Sequence, residues 1–204
     1  MPGQKTKSRL FVISGPSGVG KGTVIQEILR LRGDLTLSVS YTSRTPRAGE
    51  LDGVNYYFVS RAEFEAMVAR AEFLEYAQVH RNYYGTSRIR VQELLKTGRN
   101  ILFEVDVQGG LQLKQKFAGL CSIFVMPPSE EELIKRINSR GSETPETLSL
   151  RLKTMRRELA SAGSYDYQIM NEELSVCIGA INRVIDKELG ILKSPVLEKT
   201  PRKI

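Results

Sequence analysis

Short apolar runs alternate along this chain with segments of helical periodicity. After the first run, Val24, Ile25, Ile28 and Leu29 recur on one face of a predicted helix. Strands that alternate with helices predict an α/β fold whose sheet is mostly parallel and carries helices on both faces. The predicted strands of this sheet are residues 10–13, 35–40, 101–106, 121–125 and 168–170.

Turn and capping residues set the limits of further elements. Ser60 with Glu63, and Ser129 with Glu132, have the spacing of capping boxes that begin helices. Gly98 is a suitable end for a helix that begins near Ser87. Pro46 and Gly49 favour a loop over 41–50, followed by strands at 54–59 and 72–77 and a helix from Pro145.

These elements predict one domain over 8–187 with two inserted parts. Its core is formed by 8–39, 88–135 and 152–187, and the β-rich segment of about 40–87 is inserted into it. Residues 136–151 are polar and contain Gly141, so we expect a mobile lid there. We expect the basic tail 193–204 to be disordered.

Composition is that of a soluble globular protein, with 41% hydrophobic and 26% charged residues among 204. No apolar run reaches the roughly 18 residues of a membrane span, and the N-terminus does not resemble a secretion signal. Cys121 and Cys177 lie in apolar runs typical of reduced, buried thiols. We therefore expect a cytoplasmic protein that does not bind membranes, while its oligomeric state stays open.

The net charge of +7 indicates anionic partners. The basic residues form no long run, and many arginines lie near glycines, hydroxyls and carboxylates. That distribution favours a small, multiply charged ligand over nucleic acid. A nucleic-acid-binding protein with a phosphate loop remains an alternative that only the net charge suggests.

The segment after the first predicted strand has the pattern of a phosphate-binding loop. Strand, glycine-rich turn, lysine and helix follow in order, so backbone N–H groups can surround an anion at a helix N-terminus. The usual hydroxyl after the lysine is replaced by Gly22, which makes direct contact between a hydroxyl and Mg²⁺ doubtful. The predicted ATP-binding residues are Gly15, Pro16, Ser17, Gly18, Val19, Gly20, Lys21, Gly22 and Thr23.

A second group of residues suits another phosphate. Arg44 and Arg47 offer planar guanidinium groups, and Tyr56 and Tyr84 offer phenolic donors. Two phosphate sites imply phosphoryl transfer between nucleotides. A monophosphate acceptor is already ionised near neutral pH, so positive charge and alignment can replace a general base. The single histidine, His80, is accordingly expected to be structural.

Carboxylates and hydroxyls point to guanine as the base of the acceptor. Glu75 and Asp106 can accept from the adjacent N1–H and amino group of guanine, and Ser40 and Thr86 can donate to its O6. From spacing alone, the favoured interpretation of Glu75 is a solvated strand residue. Asp106 could instead, or also, orient Mg²⁺ through water.

Several motifs together resemble guanylate kinases. Gly15–Lys21 and the arginine-rich Ser40–Glu50 carry the resemblance, which continues through 53–58, 82–85 and 106–109 and covers about 9–187. It implies a P-loop kinase core and a purine-nucleotide enzyme that converts GMP and ATP to GDP and ADP with Mg²⁺. A catalytically inactive guanylate-kinase-like binding module is the alternative.

The resemblance also implies roles for individual residues. Asn171 would lie near the adenine of ATP. The metal contacts do not come from the resemblance: Thr23 and Asp106 are candidates for them from the loop pattern and from the acidic end of the strand, through water. Catalysis would be carried by Lys21, Arg44, Arg136, Arg140 and Arg151. The GMP-binding residues would be Ser40, Arg44, Arg47, Glu50, Tyr56, Glu75, Tyr84, Thr86 and Asp106.

Overall fold

The computed structural model describes residues 8–79, 81–138 and 145–192. Arg140 of the predicted lid, His80 and the tail 193–204 lie outside the described residues, as do the side chains of Arg136 and Arg151. Contacts divide the chain into two compact units. The first contains the chain up to Val12 and Arg32–Leu120, and the second contains Ile13–Leu31 and the chain from Cys121 onward.

Nine strands and seven helices follow one another along the described residues. The strands are β1 Leu10–Ser14, β2 Leu35–Ser38, β3 Tyr41–Thr42, β4 Tyr57–Phe58, β5 Phe73–Val79, β6 Asn82–Ser87, β7 Asn100–Glu104, β8 Cys121–Met126 and β9 Tyr167–Met170. The helices are α1 Lys21–Leu31, α2 Arg61–Ala69, α3 Arg88–Lys96, α4 Val107–Lys116, α5 Glu130–Asn138, α6 Pro145–Ala160 and α7 Leu174–Glu188.

The larger sheet has five strands in the order β2-β7-β1-β8-β9. The pairs β2–β7 and β8–β9 are parallel, and Leu37 is paired with Leu102. Strand β1 is buried from Phe11 to Ser14, as a strand with covered faces must be. The predicted α/β fold with a mostly parallel sheet is therefore confirmed.

The first unit also holds a four-stranded sheet in the order β4-β3-β6-β5. Helix α2 contributes Phe64, which is fully buried and stacks on Phe73 at 4.5 Å and on Tyr83 at 5.3 Å between ring centroids. Packing of two buried rings and one half-buried ring in this cluster stabilises a sheet too small to form a core alone. This sheet lies within the segment that the sequence predicts to be β-rich.

Two predictions in that segment were wrong in detail. Tyr41 and Thr42 form strand β3, although Pro46 and Gly49 suggested that the loop began at Tyr41. The strand expected over 54–59 is shorter in the structure, where only Tyr57–Phe58 form β4. Val54 lies in a turn and is 60% exposed. The cause is local: Gly53, at φ +72°, donates its N–H to the Tyr56 carbonyl at 2.8 Å and closes a turn there.

Side-chain caps fix the helix starts that the sequence predicted. Ser60 Oγ accepts the Glu63 N–H at 3.1 Å, and Ser129 Oγ accepts the Glu132 N–H at 3.1 Å. Helix α4 was not predicted, because Gly109 and Gly110 lower its intrinsic propensity. Its N-cap is Asp106, whose Oδ1 accepts the Gly109 N–H at 2.8 Å.

None of the described helices is long and apolar enough to cross a membrane.

Candidate functional site

In the second unit, a glycine-rich loop joins the carboxyl end of β1 to the first turn of α1. Gly18 at φ +87° and Gly20 at φ +93° lie in the left-handed region, where a side chain would be strained. A Cβ on Gly15 would lie 2.5 Å from the Val125 carbonyl oxygen, so the start of the loop packs directly on β8. The loop therefore needs glycine for its conformation at two positions and for close packing at a third.

Helix α1 presents an electrostatically positive start to this loop. Its first turn contains no acidic residue, and its buried face holds Val24, Ile25 and Ile28. Unpaired N–H groups and the helix dipole at such an N-terminus favour an anion. Lys21 begins the helix, and its Nζ donates to the Gly15 carbonyl at 2.6 Å, so the ammonium is held against the loop.

Two side chains from distant parts of the sequence contact the backbone of this loop. Asn171 Nδ2 donates to the Val19 carbonyl at 2.8 Å, and Glu158 Oε2 accepts from the Ser17 N–H at 3.2 Å. Asn171 follows β9, and Glu158 belongs to α6. The loop conformation is therefore stabilised by residues about 140 to 150 positions away in the chain.

In the first unit, Arg44 is held by a bidentate ion pair with Glu50. Both guanidinium NH groups donate to the carboxylate at 2.9 Å, and the Arg47 N–H donates to the same carboxylate at 2.7 Å. The pair lowers the pKa of Glu50 and raises that of Arg44. We call Arg44, Glu50, Tyr56 and Tyr84 the arginine cluster.

Aromatic rings orient the same guanidinium. Arg44 lies over the Tyr56 ring at 5.4 Å and over the Phe58 ring at 5.8 Å. Tyr56 meets Tyr84 edge-on at 5.8 Å between centroids. Burial raises the pKa of Tyr56 to about 12, so its hydroxyl keeps its proton at neutral pH. Arg47 is exposed at the edge of the cluster.

Glu75 is a buried carboxylate, with only 3% of its surface exposed. Its Oε1 accepts the hydroxyl of Thr86, which is fully buried, at 2.5 Å. Burial is the main cause that raises the pKa of Glu75 to about 7, and the charge of Asp106 acts in the same direction. A solvated strand position is thereby excluded for Glu75.

Glu75 and Asp106 flank one residue of α4. A Cβ built on Gly109 would overlap Glu75 Oε2 and would lie 3.2 Å from Asp106 Oδ1. Lys116 of the same helix donates to the Leu74 carbonyl, which fixes α4 against β5. We call Glu75, Thr86, Asp106 and Gly109 the carboxylate pocket.

Strand β6 connects the carboxylate pocket with the arginine cluster. Thr86 is paired with Glu75 of β5, and Tyr84 lies two positions earlier on β6. Alternate residues of a strand project from the same face of the sheet, so the side chains of Tyr84 and Thr86 lie on one face. Ser40, 8% exposed, accepts the Tyr57 N–H through its carbonyl where β2 leads into β3.

A divalent metal would have few protein ligands here. No group of three or more His, Cys, Asp or Glu side chains suited to a metal occurs among the described residues. Thr23 is exposed in the first turn of α1, and Asp106 Oδ1 caps α4. A small number of protein ligands is compatible with Mg²⁺, which usually keeps several waters and is bound through one or two carboxylates and substrate phosphates.

Sequence reasoning did not identify Glu158, Gly109 or Phe58 as part of these sites. Glu158 gives no signal, because it is one of several charged residues along α6. The Gly109–Gly110 pair directly after the acidic end of a strand is a signal that could have been used. Phe58 was assigned only to a strand.

These features define the class of protein. A mostly parallel sheet, a glycine-rich loop between its strand β1 and helix α1, and a lysine at the helix start characterise nucleotide-binding α/β proteins of the phosphate-loop type.

Comparison with known proteins places the chain within that class. The model of the family "Guanylate kinase" matches residues 7–188, and the chain belongs to the guanylate kinase family. A guanylate kinase of Clostridium perfringens (strain SM101 / Type A) is 44% identical over 192 residues, covering 93% of this chain and 89% of that protein. One from Clostridioides difficile (strain 630) is 42% identical over 196 residues, covering 95% and 96%.

A solved structure agrees with the sequence comparisons. The crystal structure of guanylate kinase from Anaplasma phagocytophilum matches with a TM-score of 0.75 at 33% identity, covering 90% of this chain and 87% of that one. The resemblance found in the sequence motifs is confirmed at the level of family and fold.

Proposed function

We propose that this protein transfers the γ-phosphoryl group of ATP to GMP and forms ADP and GDP. The observation that carries the proposal is the pairing of a phosphate loop with a buried guanine-matching carboxylate in a chain of the guanylate kinase family. Nothing in the two sites favours an inactive binding module, because Lys21 and Arg44 are both present and held in place.

The carboxylate pocket would bind the guanine base. An ionised Glu75 can accept from guanine N1–H and its amino group, while the hydroxyl of Ser40 suits O6. The hydroxyl of Thr86 donates its one proton to Glu75, so we assign Thr86 the role of orienting that carboxylate. Because Glu75 is buried, adenine would leave its carboxylate unpaired, and discrimination of this kind can reach roughly 10⁴-fold. Asp106 lies close enough to share this task or to orient a metal-bound water.

The arginine cluster would bind the phosphate of GMP. Arg44 is prevented from reorienting by Glu50 and by the ring of Tyr56, so little side-chain freedom remains to be lost on binding. Tyr56 and Tyr84 would add hydroxyl donors, and exposed Arg47 a second guanidinium. Glu50 itself contacts Arg44 and Arg47, so we assign it the role of orienting this cluster.

The phosphate loop and Lys21 would bind the triphosphate of ATP. Kinases of this kind act with a divalent metal, which we propose is Mg²⁺; when bound, it would neutralise charge on the transferring phosphate. The acceptor phosphate needs no general base, so alignment and positive charge suffice. By family resemblance, we assign Arg136, Arg140 and Arg151 to a lid over 136–151 that adds charge at the γ-phosphate.

We further propose that residues 40–87 form the GMP-binding insert of a domain spanning 8–187. The proposed setting is purine nucleotide metabolism in the cytoplasm, with ATP and GMP as small-molecule partners. Binding to nucleic acid is not part of the proposal. Burial of Cys121 and Cys177 is compatible with a reducing compartment.

The decisive experiment measures ADP formation from ATP and Mg²⁺ with GMP, AMP, CMP or UMP offered in separate reactions. We expect turnover with GMP and at least a thousandfold lower kcat/KM with AMP. Turnover led by another monophosphate would overturn the base assignment. If no monophosphate stimulates ATP consumption while GMP still binds, the protein is a binding module and the proposed reaction is wrong.

A further inference from the structure

Given the kinase function proposed above, we infer that Asn171 is a positioning residue for the phosphate loop and governs triphosphate affinity whatever base the donor carries. Family resemblance places Asn171 beside the adenine of ATP. In the structure, its side-chain amide donates to the Val19 carbonyl, inside the loop that would hold the phosphates. The side chain therefore acts on the backbone of the loop.

Asn171 is itself held by the sheet. It follows directly after β9, where Met170 is paired with Met126 of β8. Its own N–H donates to the Met126 carbonyl at 2.8 Å, and the residue is only 6% exposed. The side-chain amide thus starts from a fixed backbone, which a residue on a mobile surface loop could not provide.

The bond to Val19 fixes the direction of one N–H group. In a planar trans peptide, the carbonyl and the following N–H point in opposite directions. Since the Val19 carbonyl is directed toward Asn171, the N–H of Gly20 in the same peptide plane is directed away from it. An N–H in this position of a phosphate loop is one of the donors that surround the anion.

The peptide between Val19 and Gly20 turns about ψ of Val19 and φ of Gly20. Val19 is fully buried and its N–H donates to the Pro16 carbonyl at 3.3 Å, whereas Gly20, at φ +93°, is a glycine that allows many other conformations. The amide of Asn171 therefore adds a restraint on the glycine side of this peptide. Contact with Asn171 is also close, since a Cβ on Gly20 would lie 2.9 Å from Nδ2. Asn171 and Gly20 therefore form a matched pair that keeps one donor of the loop preorganised.

The test measures binding by calorimetry for ATP and for inorganic triphosphate, each with Mg²⁺, to wild type and to Asn171→Ala. We expect affinity for both ligands to fall by the same factor, about tenfold, because a donor common to both is no longer held. The dissociation constant of GMP should not change. A loss for ATP with none for triphosphate, or no loss for either, would overturn the inference.

Two further variants make the result specific. Gln168→Ala removes an amide from β9 that also donates to a backbone carbonyl, that of Ala162 at 3.3 Å, and should leave both affinities unchanged. Should Asn171→Ala not fold, Asn171→Leu keeps the approximate size and the neutral charge but loses the donor, and is expected to give the same equal loss. Binding is measured without turnover, so failure of the proposed reaction would be seen separately, in the monophosphate assay.

Discussion

The carboxylate of Glu75 occupies the space that a side chain on Gly109 would need. A Cβ there would overlap Glu75 Oε2, although Gly109 lies within helix α4, where alanine is normally preferred over glycine by about 1 kcal/mol. Glycine at this position leaves room for the buried carboxylate of Glu75 beside Asp106.

This relationship predicts the effect of Gly109→Ala. The added methyl group would displace the Glu75 carboxylate from Thr86, and the protein would lose its acceptor for guanine. We expect KM for GMP to rise by about tenfold to a hundredfold, while KM for ATP changes less than twofold. Steady-state kinetics with each substrate varied in turn would measure both values.

Thermal unfolding separates this effect from general damage. A better helix former at position 109 contributes about 1 kcal/mol, which offsets only part of the strain, so the midpoint should fall by several degrees while the protein still folds. Gly33→Ala is a matched control, because a Cβ at Gly33 meets no atom within 4 Å, and it should leave both KM values unchanged. A Gly109→Ala protein with wild-type affinity for GMP would show that Glu75 does not contact the base.

The pKa of Glu75 predicts a pH dependence of GMP binding. Burial raises this pKa from 4.5 to about 7, whereas guanine requires the ionised carboxylate. Affinity for GMP should therefore rise about tenfold per pH unit below 7 and level off above it, with release of a proton on binding. The sign for folding is opposite: stability from the protonated form is full below pH 4.5 and is lost as pH rises through 7.

The variant Glu75→Gln isolates the contribution of Glu75 ionisation to the pH dependence of GMP binding. The phosphate of GMP titrates near pH 6 as well, but it does so equally with both proteins. Thr86 and Lys116, which lower the pKa of Glu75, and Asp106, which raises it, are unchanged in the variant. Calorimetric titrations between pH 5.5 and 8 in two buffers should show a flatter profile for Glu75→Gln. Identical slopes in both proteins would assign the pH dependence to the ligand alone.

Loss of the bidentate pair should weaken binding of the GMP phosphate. In Glu50→Gln, the neutral amide offers Arg44 one oxygen in place of two charged ones, so the guanidinium becomes free to reorient. We expect KM for GMP to rise about tenfold with KM for ATP nearly constant. Glu65→Gln disrupts the exposed Arg61–Glu65 pair and should change neither value. A fall in KM after Glu50→Gln would mean that this carboxylate competes with the phosphate.

Removal of the loop ammonium should affect turnover more than folding. Lys21 donates to the Gly15 carbonyl and would otherwise stabilise charge on the transferring phosphate. For Lys21→Ala we expect kcat to fall by about 10²-fold or more, with little change in the thermal midpoint. Exposed Lys96 at the end of α3 gives the control, and Lys96→Ala should retain full activity. If Lys21→Ala kept the wild-type kcat, the assignment of Lys21 as a catalytic residue would be wrong.

The sequence predicted those elements of the fold that local chemistry determines. Apolar runs marked β1 and β8, and the caps Ser60 and Ser129 marked two helix starts, since each signal lies within a few residues. Helix α4 was not predicted, because Gly109 and Gly110 lower the helix propensity of this segment. The N-cap Asp106 favours the helix, but a single cap is a weak signal beside two glycines. Strand β3 was mistaken for loop, because two residues pairing with β4 and β6 leave no periodic pattern.

The candidate site was predictable where function depends on residue type, and less so where it depends on packing. Motif spacing identified Lys21 and Arg44 as candidates, and the match of a carboxylate to guanine together with the family resemblance identified Glu75. The structure gives each a defined partner. Glu75 lies against Gly109 of α4 and is bonded to Thr86 of β6, and spacing along the chain reveals neither contact. The contact of Glu158 with the Ser17 N–H joins residues 141 positions apart, and only the tertiary structure brings them together.

Base recognition and phosphate binding are assigned to different segments that share strand β6. The carboxylate pocket depends on β5, β6 and α4, whereas the arginine cluster depends mainly on the loop between β3 and β4. Under the proposed assignment, the choice of base and the binding of the phosphate depend on separate groups of residues. Evolution or design could exchange the preferred base through Glu75, Gly109 and their neighbours and leave the handling of the monophosphate group intact.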